Sequence, residues 1–291
     1  MPRKTKPFVI AVVGPTASGK SDLAVRLAKK FNGEVISADS RQIYKGLDIG
    51  SGKITKKEMK GVPHYLLDVA SPKRVFTVSQ YQKLGQKAIK DILKRGKLPI
   101  ICGGTGFYID ALVSNLKFPE VPPQKELRKK LEKESIESLF KKLKKLDPRR
   151  AKNIDRHNKR RLVRALEIIL TTKQPVPLAT TMHSSSQYNV LKIGIKKEPE
   201  ELKKLIHKRL IKRLKQGMIK EVENLHRPPA GGGLSWKRLD DLGLEYRYVS
   251  RYLRGLISKE EMIEKLETEI RRYAKRQMTW LRRDKNVIWD I

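Results

Sequence analysis

Cysteine is almost absent from this sequence of 291 residues. A single cysteine, Cys102, excludes both an internal disulfide and a zinc site built from several cysteines. Long apolar runs are also missing, because stretches such as FVIAVVG fall far short of the roughly 20 residues that span a bilayer, so we expect no membrane contact. The basic N-terminus runs into a glycine-rich motif and lacks a small-residue cleavage site, which argues against a signal peptide. These absences predict a cytoplasmic protein.

Acidic residues are scarce, with 31 against 66 lysines and arginines, which gives a formal net charge of +35. Such a surface attracts polyanions, and nucleic acid is the leading candidate partner. The alternative is a lysine-rich composition that coats every exposed helix. Residues 121–180 hold 18 lysines and arginines against seven acidic residues, a net charge of +11. This local enrichment favours a nucleic-acid-binding segment.

The order of apolar patterns predicts an α/β fold: a P-loop-type parallel sheet flanked by helices, with an all-helical insertion. Strands are expected at 8–13, 34–38, 64–68, 98–102, 190–195 and 286–291, and helices near 20–31, 78–95, 198–217, 235–254 and 258–282. Three prolines between Pro119 and Pro123 break the pattern, and only helical spacing follows. We therefore expect a catalytic core at 1–119 and 184–291 and a basic helical insertion at 120–183.

A phosphate-binding motif lies between the first predicted strand and the first predicted helix. The pattern G-x-x-x-x-G-K-[ST] is matched in full by Gly14, Pro15, Thr16, Ala17, Ser18, Gly19, Lys20 and Ser21. Its glycines allow backbone N–H groups to face an anion, Lys20 neutralises that anion, and the Ser21 hydroxyl is suited to Mg²⁺. The motif leaves open whether the phosphate belongs to ATP, GTP or another diphosphate.

Further motifs carry a family resemblance. They are SADSRQIYKGLDIG at 37–50, GVPHYLLD at 61–68, CGGTGFY at 102–108, NKRRLVRALE at 158–167 and YAKRQMTWLR at 273–282. Together with the phosphate motif, and in the same order and spacing, they resemble the tRNA dimethylallyltransferases, also called tRNA isopentenyl transferases. The resemblance covers nearly the whole chain.

This resemblance implies transfer of a dimethylallyl group from dimethylallyl diphosphate to N6 of the adenosine just 3′ of the tRNA anticodon. It implies that Asp39 is the general base and that Thr105 contacts the diphosphate or its bridging oxygen. The eight residues of the phosphate motif would bind the prenyl diphosphate, with Mg²⁺ as cofactor at Ser21. No nucleoside triphosphate would take part.

The resemblance also implies a set of tRNA-binding residues. Ser40, Arg41 and Gln42 would hold the flipped adenine, and the amide of Gln42 is suited to reading a purine edge. The insertion would contact tRNA through Arg128, Arg160, Arg161 and Arg164. We expect a monomer with tRNA as its macromolecular partner.

Each assignment has an alternative. Asp39 is also suited to a turn, a helix N-cap or an Mg²⁺ ligand, and Thr105 to a helix N-cap. The insertion arginines are equally compatible with a solvated helix face. Three other functions compete: an adenylate isopentenyltransferase, which needs no basic insertion; a small-metabolite kinase; and a non-catalytic RNA-binding protein.

The segment LGLEYR at 242–247 departs from the family pattern. Bacterial relatives commonly have a Gly-Tyr pair here, preceded by an arginine that reaches the active site. In this chain Glu245 replaces the glycine, and Leu242 falls near the place of the arginine. Arg238 or Arg247 is the expected substitute.

Overall fold

A computed structural model of the chain describes residues 6–114, 116, 118–119, 121–177, 186–228 and 231–289. Its central feature is a six-stranded sheet in which every neighbouring pair is parallel. The strands are β1 (Phe8–Val13), β2 (Gly33–Ser37), β3 (His64–Tyr65), β4 (Leu98–Gly103), β5 (Asn189–Gly194) and β6 (Val287–Trp289), in the spatial order β3-β2-β4-β1-β5-β6. The predicted α/β class is confirmed, and the sheet is built from both ends of the chain.

The helices are α1 (Lys20–Lys30), α2 (Lys56–Met59), α3 (Val78–Lys94), α4 (Gly106–Val113), α5 (Lys125–Lys133), α6 (Ile136–Leu146), α7 (Pro148–Asn153), α8 (Lys159–Thr172), α9 (Pro199–Lys215), α10 (Met218–His226), α11 (Trp236–Leu242), α12 (Leu244–Leu253) and α13 (Lys259–Leu281). The chain forms two compact units. One comprises Met1–Val113 with Ser186–Ile291, and the other comprises Ser114–Ser185. Within the described ranges, none of these helices is long and apolar enough to cross a membrane.

The central strand β1 is buried on both faces, which explains its uninterrupted apolar sequence. Val9, Ala11 and Val13 pack into a core cluster that includes side chains of α3 and α13. Ile10 and Val12 point to the opposite face and pack against α1. Because successive side chains of a strand alternate between faces, one short strand anchors both layers of helices.

Some predicted boundaries were wrong. β3 ends at Tyr65, three residues early, because Leu66 and Asp68 have positive φ angles of 61° and 56°, which lie outside the extended region of a regular strand. The helix predicted near 235–254 is two helices, α11 and α12, separated at Gly243, whose φ of 77° interrupts the helical backbone. Helices α2, α4 and α10 were not predicted.

The second unit has a small apolar core of its own. Leu139 and Leu143 of α6 and Leu162 and Leu166 of α8 are completely buried in it. The helices α6, α7 and α8 begin at side-chain N-caps, which are Ser135, Asp147 and Asn158. In the described part of this unit the regular elements are all helices, as the spacing of apolar residues predicted.

Candidate active site

The phosphate-binding loop turns from the end of β1 into α1. Gly19 has a φ of 87° and Ala17 a φ of 62°, so two residues in the left-handed region turn the backbone of the loop sharply. The Lys20 ammonium lies inside this turn and donates to the Pro15 carbonyl. Burial lowers the pKa of Lys20 to about 8. The buried Ser18 hydroxyl has no hydrogen-bond partner among the described residues, so the loop has unused polar capacity.

Asp39 and Thr105 follow the neighbouring strands β2 and β4, at the same carboxyl edge of the sheet. The Thr105 amide donates to the Ala38 carbonyl, and the Thr105 hydroxyl accepts from the Ser40 amide, each at 3.1 Å. Asp39 Oδ1 accepts from the amides of Arg41 at 2.8 Å and Gln42 at 3.3 Å. These hydrogen bonds hold a tight turn, so the turn role and a chemical role of Asp39 are compatible.

A polar cavity at this edge brings the predicted groups together. It is lined by Lys20 and Ser21 from the phosphate loop, by Asp39 and Gln42 from the turn after β2, and by residues from later in the chain. A carboxylate, an ammonium and a hydroxyl therefore face one space. Thr105 borders this set, because its side chain lies close enough to Tyr273, which lines the cavity, to influence the pKa of that phenol.

Tyr273 and Gln277 are cavity residues that the sequence analysis did not assign. Gln277 accepts from the Thr16 amide at 2.8 Å and donates to the Gly104 carbonyl at 2.9 Å, so one buried side chain joins the two glycine-rich loops. A Cβ on Gly104 would lie 2.0 Å from the Gln277 amide nitrogen, which explains the glycine. The motif YAKRQMTWLR contained a signal for this, because Tyr273 and Gln277 are four residues apart and therefore share one face of a helix.

Arg209 of α9 is a further cavity residue that the sequence analysis did not assign. Its guanidinium donates to the Thr16 hydroxyl and to the Gly52 carbonyl, each at 3.3 Å. Burial lowers the pKa of Arg209 to about 10, and the charge of the neighbouring Arg213 acts in the same direction. A second cation therefore faces the phosphate loop beside Lys20.

Neither arginine that was expected to replace the family's active-site arginine lines this cavity. Arg238 donates to the Pro72 carbonyl at 2.6 Å, and Arg247 donates to the Asp240 carbonyl at 3.0 Å. Both side chains are used to hold backbone. Neither side chain therefore stands at the cavity in this structure, whereas Arg209 lines it.

Two of the predicted adenine-binding residues make backbone contacts. The Arg41 guanidinium donates to the Leu242 carbonyl at 2.5 Å, and the Gln42 amide donates to the Gly52 carbonyl at 3.1 Å. Arg41 therefore contacts the position where the family pattern has an arginine. The bond to Gly52 uses one of the two N–H donors of the Gln42 amide, and the side chain lines the cavity.

The insertion arginines divide into two pairs. Arg128 makes two hydrogen bonds to the fully buried Glu167, at 2.7 and 2.8 Å, and Arg164 makes another. Burial alone would raise the pKa of Glu167, but the hydrogen bonds from these guanidinium groups lower it below its ordinary value. Arg160 and Arg161 are exposed at the start of α8. The structure thus gives Arg128 and Arg164 a packing role, whereas the tRNA role of all four stays a prediction.

The cavity suits a hard cation that also binds a phosphate. Within the described part of the chain, no group of three or more His, Cys, Asp or Glu side chains is placed to hold a metal ion. The Ser21 hydroxyl and the Asp39 carboxylate are two of the oxygen donors in the cavity wall, which also contains the Thr16 and Ser51 hydroxyls. Mg²⁺ commonly takes one or two protein oxygens and completes its shell with water and substrate phosphates, so the donor set fits this ion.

The fold and this cavity define an α/β enzyme whose glycine-rich loop meets a carboxylate at the edge of a parallel sheet. The sequence model of the IPP transferase family matches residues 42–284 of this chain. A tRNA dimethylallyltransferase of Acetivibrio thermocellus is 43% identical over an alignment of 287 residues that covers 97% of this chain and 90% of that protein. The chain belongs to the IPP transferase family, and the resemblance drawn from the motifs is confirmed.

Solved structures agree with this assignment. The full-length tRNA isopentenylpyrophosphate transferase from Bacillus halodurans has 38% sequence identity and a TM-score of 0.71, and the match covers 98% of this chain and 90% of that one. A eukaryotic dimethylallyltransferase captured acting on tRNA has 28% identity and a TM-score of 0.81, with 94% of this chain and 70% of that chain covered. The protein is therefore a prenyltransferase by family and by fold.

Proposed function

We propose that this protein transfers the dimethylallyl group of dimethylallyl diphosphate to N6 of the adenosine 3′-adjacent to the tRNA anticodon and releases diphosphate. The observation that carries the proposal is the single cavity shared by Asp39, Lys20 and Ser21. A base and a diphosphate cradle that face the same space can act on two substrates at once. The names of the relatives supply the two substrates, a prenyl donor and tRNA.

The transfer needs a proton acceptor, because the exocyclic amine of adenosine is a weak nucleophile. N6 forms a bond to C1 of the prenyl group, the bond from C1 to the bridging oxygen breaks, and the N6 proton goes to Asp39. All of the described hydrogen bonds to this carboxylate fall on Oδ1, so Oδ2 is the oxygen we assign to the proton. The turn keeps its geometry while the base acts.

The departing diphosphate gains negative charge, which cations in the cavity wall stabilise. Lys20 and Arg209 supply two cations, and the loop amides at the start of α1 supply N–H donors. Tyr273 lies beside Thr105, and burial raises the pKa of Tyr273 to about 12, so the phenol stays protonated well above neutral pH. We assign Thr105 the role of contacting the bridging oxygen beside Asp39.

Mg²⁺ would be held by Ser21, with Asp39 within the same cavity. When bound, this ion supplies positive charge to the leaving diphosphate. Ser40, Arg41, Gln42 and the insertion arginines are the proposed tRNA contacts. Because the proposed substrate is tRNA and the single cysteine is a free thiol, we propose that the enzyme works in the cytoplasm. We also expect it to work as a monomer.

One experiment tests the reaction. The purified protein is incubated with bulk tRNA, Mg²⁺ and labelled dimethylallyl diphosphate, and the tRNA is digested to nucleosides. N6-prenyladenosine is the expected product. Parallel reactions with AMP as acceptor, and with ATP in place of the prenyl donor, separate the adenylate enzyme and the kinase from this proposal, since each would give product only in its own reaction.

A further inference from the structure

The segment Asp48–Gly52 forms part of the cavity wall, and its backbone sets the position of two cavity side chains. Ser51 lines the cavity. The Gly52 carbonyl accepts from the Gln42 amide at 3.1 Å and from the Arg209 guanidinium at 3.3 Å. A shift of this carbonyl therefore moves the acceptor that directs both side chains.

Little space is left around the end of this segment. Gly52 has a φ of 59°, and a Cβ on it would lie 1.7 Å from Arg213 Nη2 and 2.3 Å from Arg209 Nη2. Arg213 is itself fixed, because it donates to the buried Glu245 at 2.9 Å and to the Gly50 carbonyl at 3.2 Å. The backbone of this segment and the two guanidinium groups are thus packed tightly together, so a displacement of the segment would also displace Arg209.

A single carboxylate holds the start of the segment. Glu221 of α10 accepts from three consecutive backbone amides, those of Asp48 at 2.9 Å, Ile49 at 2.6 Å and Gly50 at 3.0 Å. Its Oε1 also accepts from the Tyr246 hydroxyl at 3.1 Å. Charge-assisted hydrogen bonds of this kind are stronger than neutral ones, and four donors on one carboxylate fix the segment at its first turn.

We propose that Glu221 is a positioning residue for donor binding, and this proposal rests on the proposed function. Glu221 does not line the cavity. It acts through the Asp48–Gly52 backbone, whose last carbonyl orients Arg209 toward the phosphate loop. The sequence offered no reason to expect a role for Glu221, because a glutamate in an amphipathic helix is usually a solvated residue.

The substitution Glu221→Gln tests this role. The side chain keeps its size, but one carboxylate oxygen becomes an NH₂ group that faces N–H donors and cannot accept from them. Glu223→Gln is the matched control, since Glu223 lies two residues later on α10 and bonds to the exposed Lys220. Both variants lose the same charge from the same helix.

Two measurements are made on the full chain. The affinity for dimethylallyl diphosphate is obtained by titration, and amide hydrogen exchange is followed in the peptide that contains Asp48–Gly50. We expect Glu221→Gln to speed exchange in this peptide and to weaken donor binding about tenfold, as for loss of a hydrogen bond to a charged group. Glu223→Gln should change neither. Prenyl transfer by the wild type is scored separately, so failure of the proposed function is distinguishable.

The proposal is overturned if Glu221→Gln speeds exchange but binds the donor as tightly as the wild type, because the carboxylate would then serve stability alone. It is also overturned if exchange does not change. A melt by circular dichroism comes first. Should Glu221→Gln unfold, Glu221→Asp keeps the charge but is one methylene shorter, and it should show the same two effects at smaller size. A folded Glu221→Asp with wild-type donor affinity contradicts the proposal.

Discussion

Asp39 combines two roles in one carboxylate, and an isosteric substitution can separate them. In Asp39→Asn the amide oxygen still accepts from the Arg41 and Gln42 amides, so the turn is kept while the proton acceptor is lost. Because a general base typically contributes about 10²–10⁴-fold to rate, we expect kcat to fall at least about 100-fold with tRNA affinity within a few-fold of wild type. Steady-state kinetics and a tRNA binding assay measure this.

Asp91→Asn is the control for this experiment. Asp91 is an exposed residue of α3 that pairs with Arg95, so its substitution should leave kcat unchanged. If Asp39→Asn retains more than about a tenth of the wild-type turnover, another group removes the proton and Asp39 is a turn residue.

The lowered pKa of Lys20 predicts a pH dependence of donor binding. Burial lowers the pKa of Lys20 to about 8 in the ligand-free protein, whereas a bound diphosphate favours the charged form and raises that pKa. Between the two pKa values binding takes up a proton, so donor affinity should fall as the pH rises above about 8, approaching tenfold per pH unit. Titrations of dimethylallyl diphosphate from pH 7 to 10 measure the slope.

Lys20→Arg supplies the comparison between pH 7 and 9, because an arginine stays charged in this range and even the buried Arg209 has a pKa of about 10. Its donor affinity should vary less with pH than that of the wild type, whatever its absolute value. Equal slopes in the two proteins would show that the pH dependence belongs to another group.

At the scale of one element, α8 is anchored to α5 by a buried carboxylate. Glu167 accepts from the guanidinium groups of Arg128 and Arg164 and from the Gln124 amide. Glu167→Gln would leave two arginines without a counter-charge. Breaking a fully buried pair costs about 3–5 kcal/mol, but both arginines are about one-third exposed, so we expect a loss of about 2 kcal/mol in the free energy of unfolding of this unit.

Urea denaturation followed by circular dichroism measures the effect of Glu167→Gln. Glu126→Gln on α5 is the matched control, since Glu126 pairs with Lys129 on the exposed surface and should change stability by less than about 0.5 kcal/mol. A Glu167→Gln protein as stable as the control would mean that the arginines, and not the carboxylate, hold these helices.

Elements were predicted best where their signals are local. The uninterrupted apolar run of β1 and the glycine-rich turn into α1 lie within a few residues of each other, and both were found with nearly the observed bounds. The break between α11 and α12 was missed because apolar spacing continues across Gly243, and its φ of 77° shows the interruption. Glycine is the usual residue where a helix ends in this way, so Gly243 was a local signal that the continuous apolar spacing outweighed.

At the scale of the whole molecule, the parallel sheet and its two-ended construction were predicted from the order of strands, but the contacts that complete the site were not. Gln277 meets the Thr16 amide across 261 positions of sequence, and Arg209 reaches the same residue across 193. Asp39, Lys20 and Ser21 were recognisable because each sits in a motif with its own chemistry. Arg209 does not lie in such a motif, and because arginines are common in this basic chain, the sequence does not distinguish it from the others.

The net charge of +35 is also a property of the whole molecule, and salt dependence shows where it is used. Each phosphate contact releases counterions, so tRNA affinity should fall steeply with salt. Arg160→Gln with Arg161→Gln should weaken tRNA binding and reduce that slope by up to about two contacts, with donor affinity unchanged. Arg164 is left intact, because its bond to Glu167 would confuse lost binding with lost packing.

The charge-matched control is Lys29→Gln with Lys30→Gln, which removes two exposed charges at the end of α1 in the other unit. Leu162 and Leu166 bury α8 in the insertion core, so a melt must first show that the arginine variant is folded. The lysine variant should keep the wild-type slope, since a diffuse surface charge contributes less than a direct contact. If both variants have the same tRNA affinity and salt slope, tRNA binding depends on total charge and not on the start of α8. The adenylate isopentenyltransferase then becomes a competing function again.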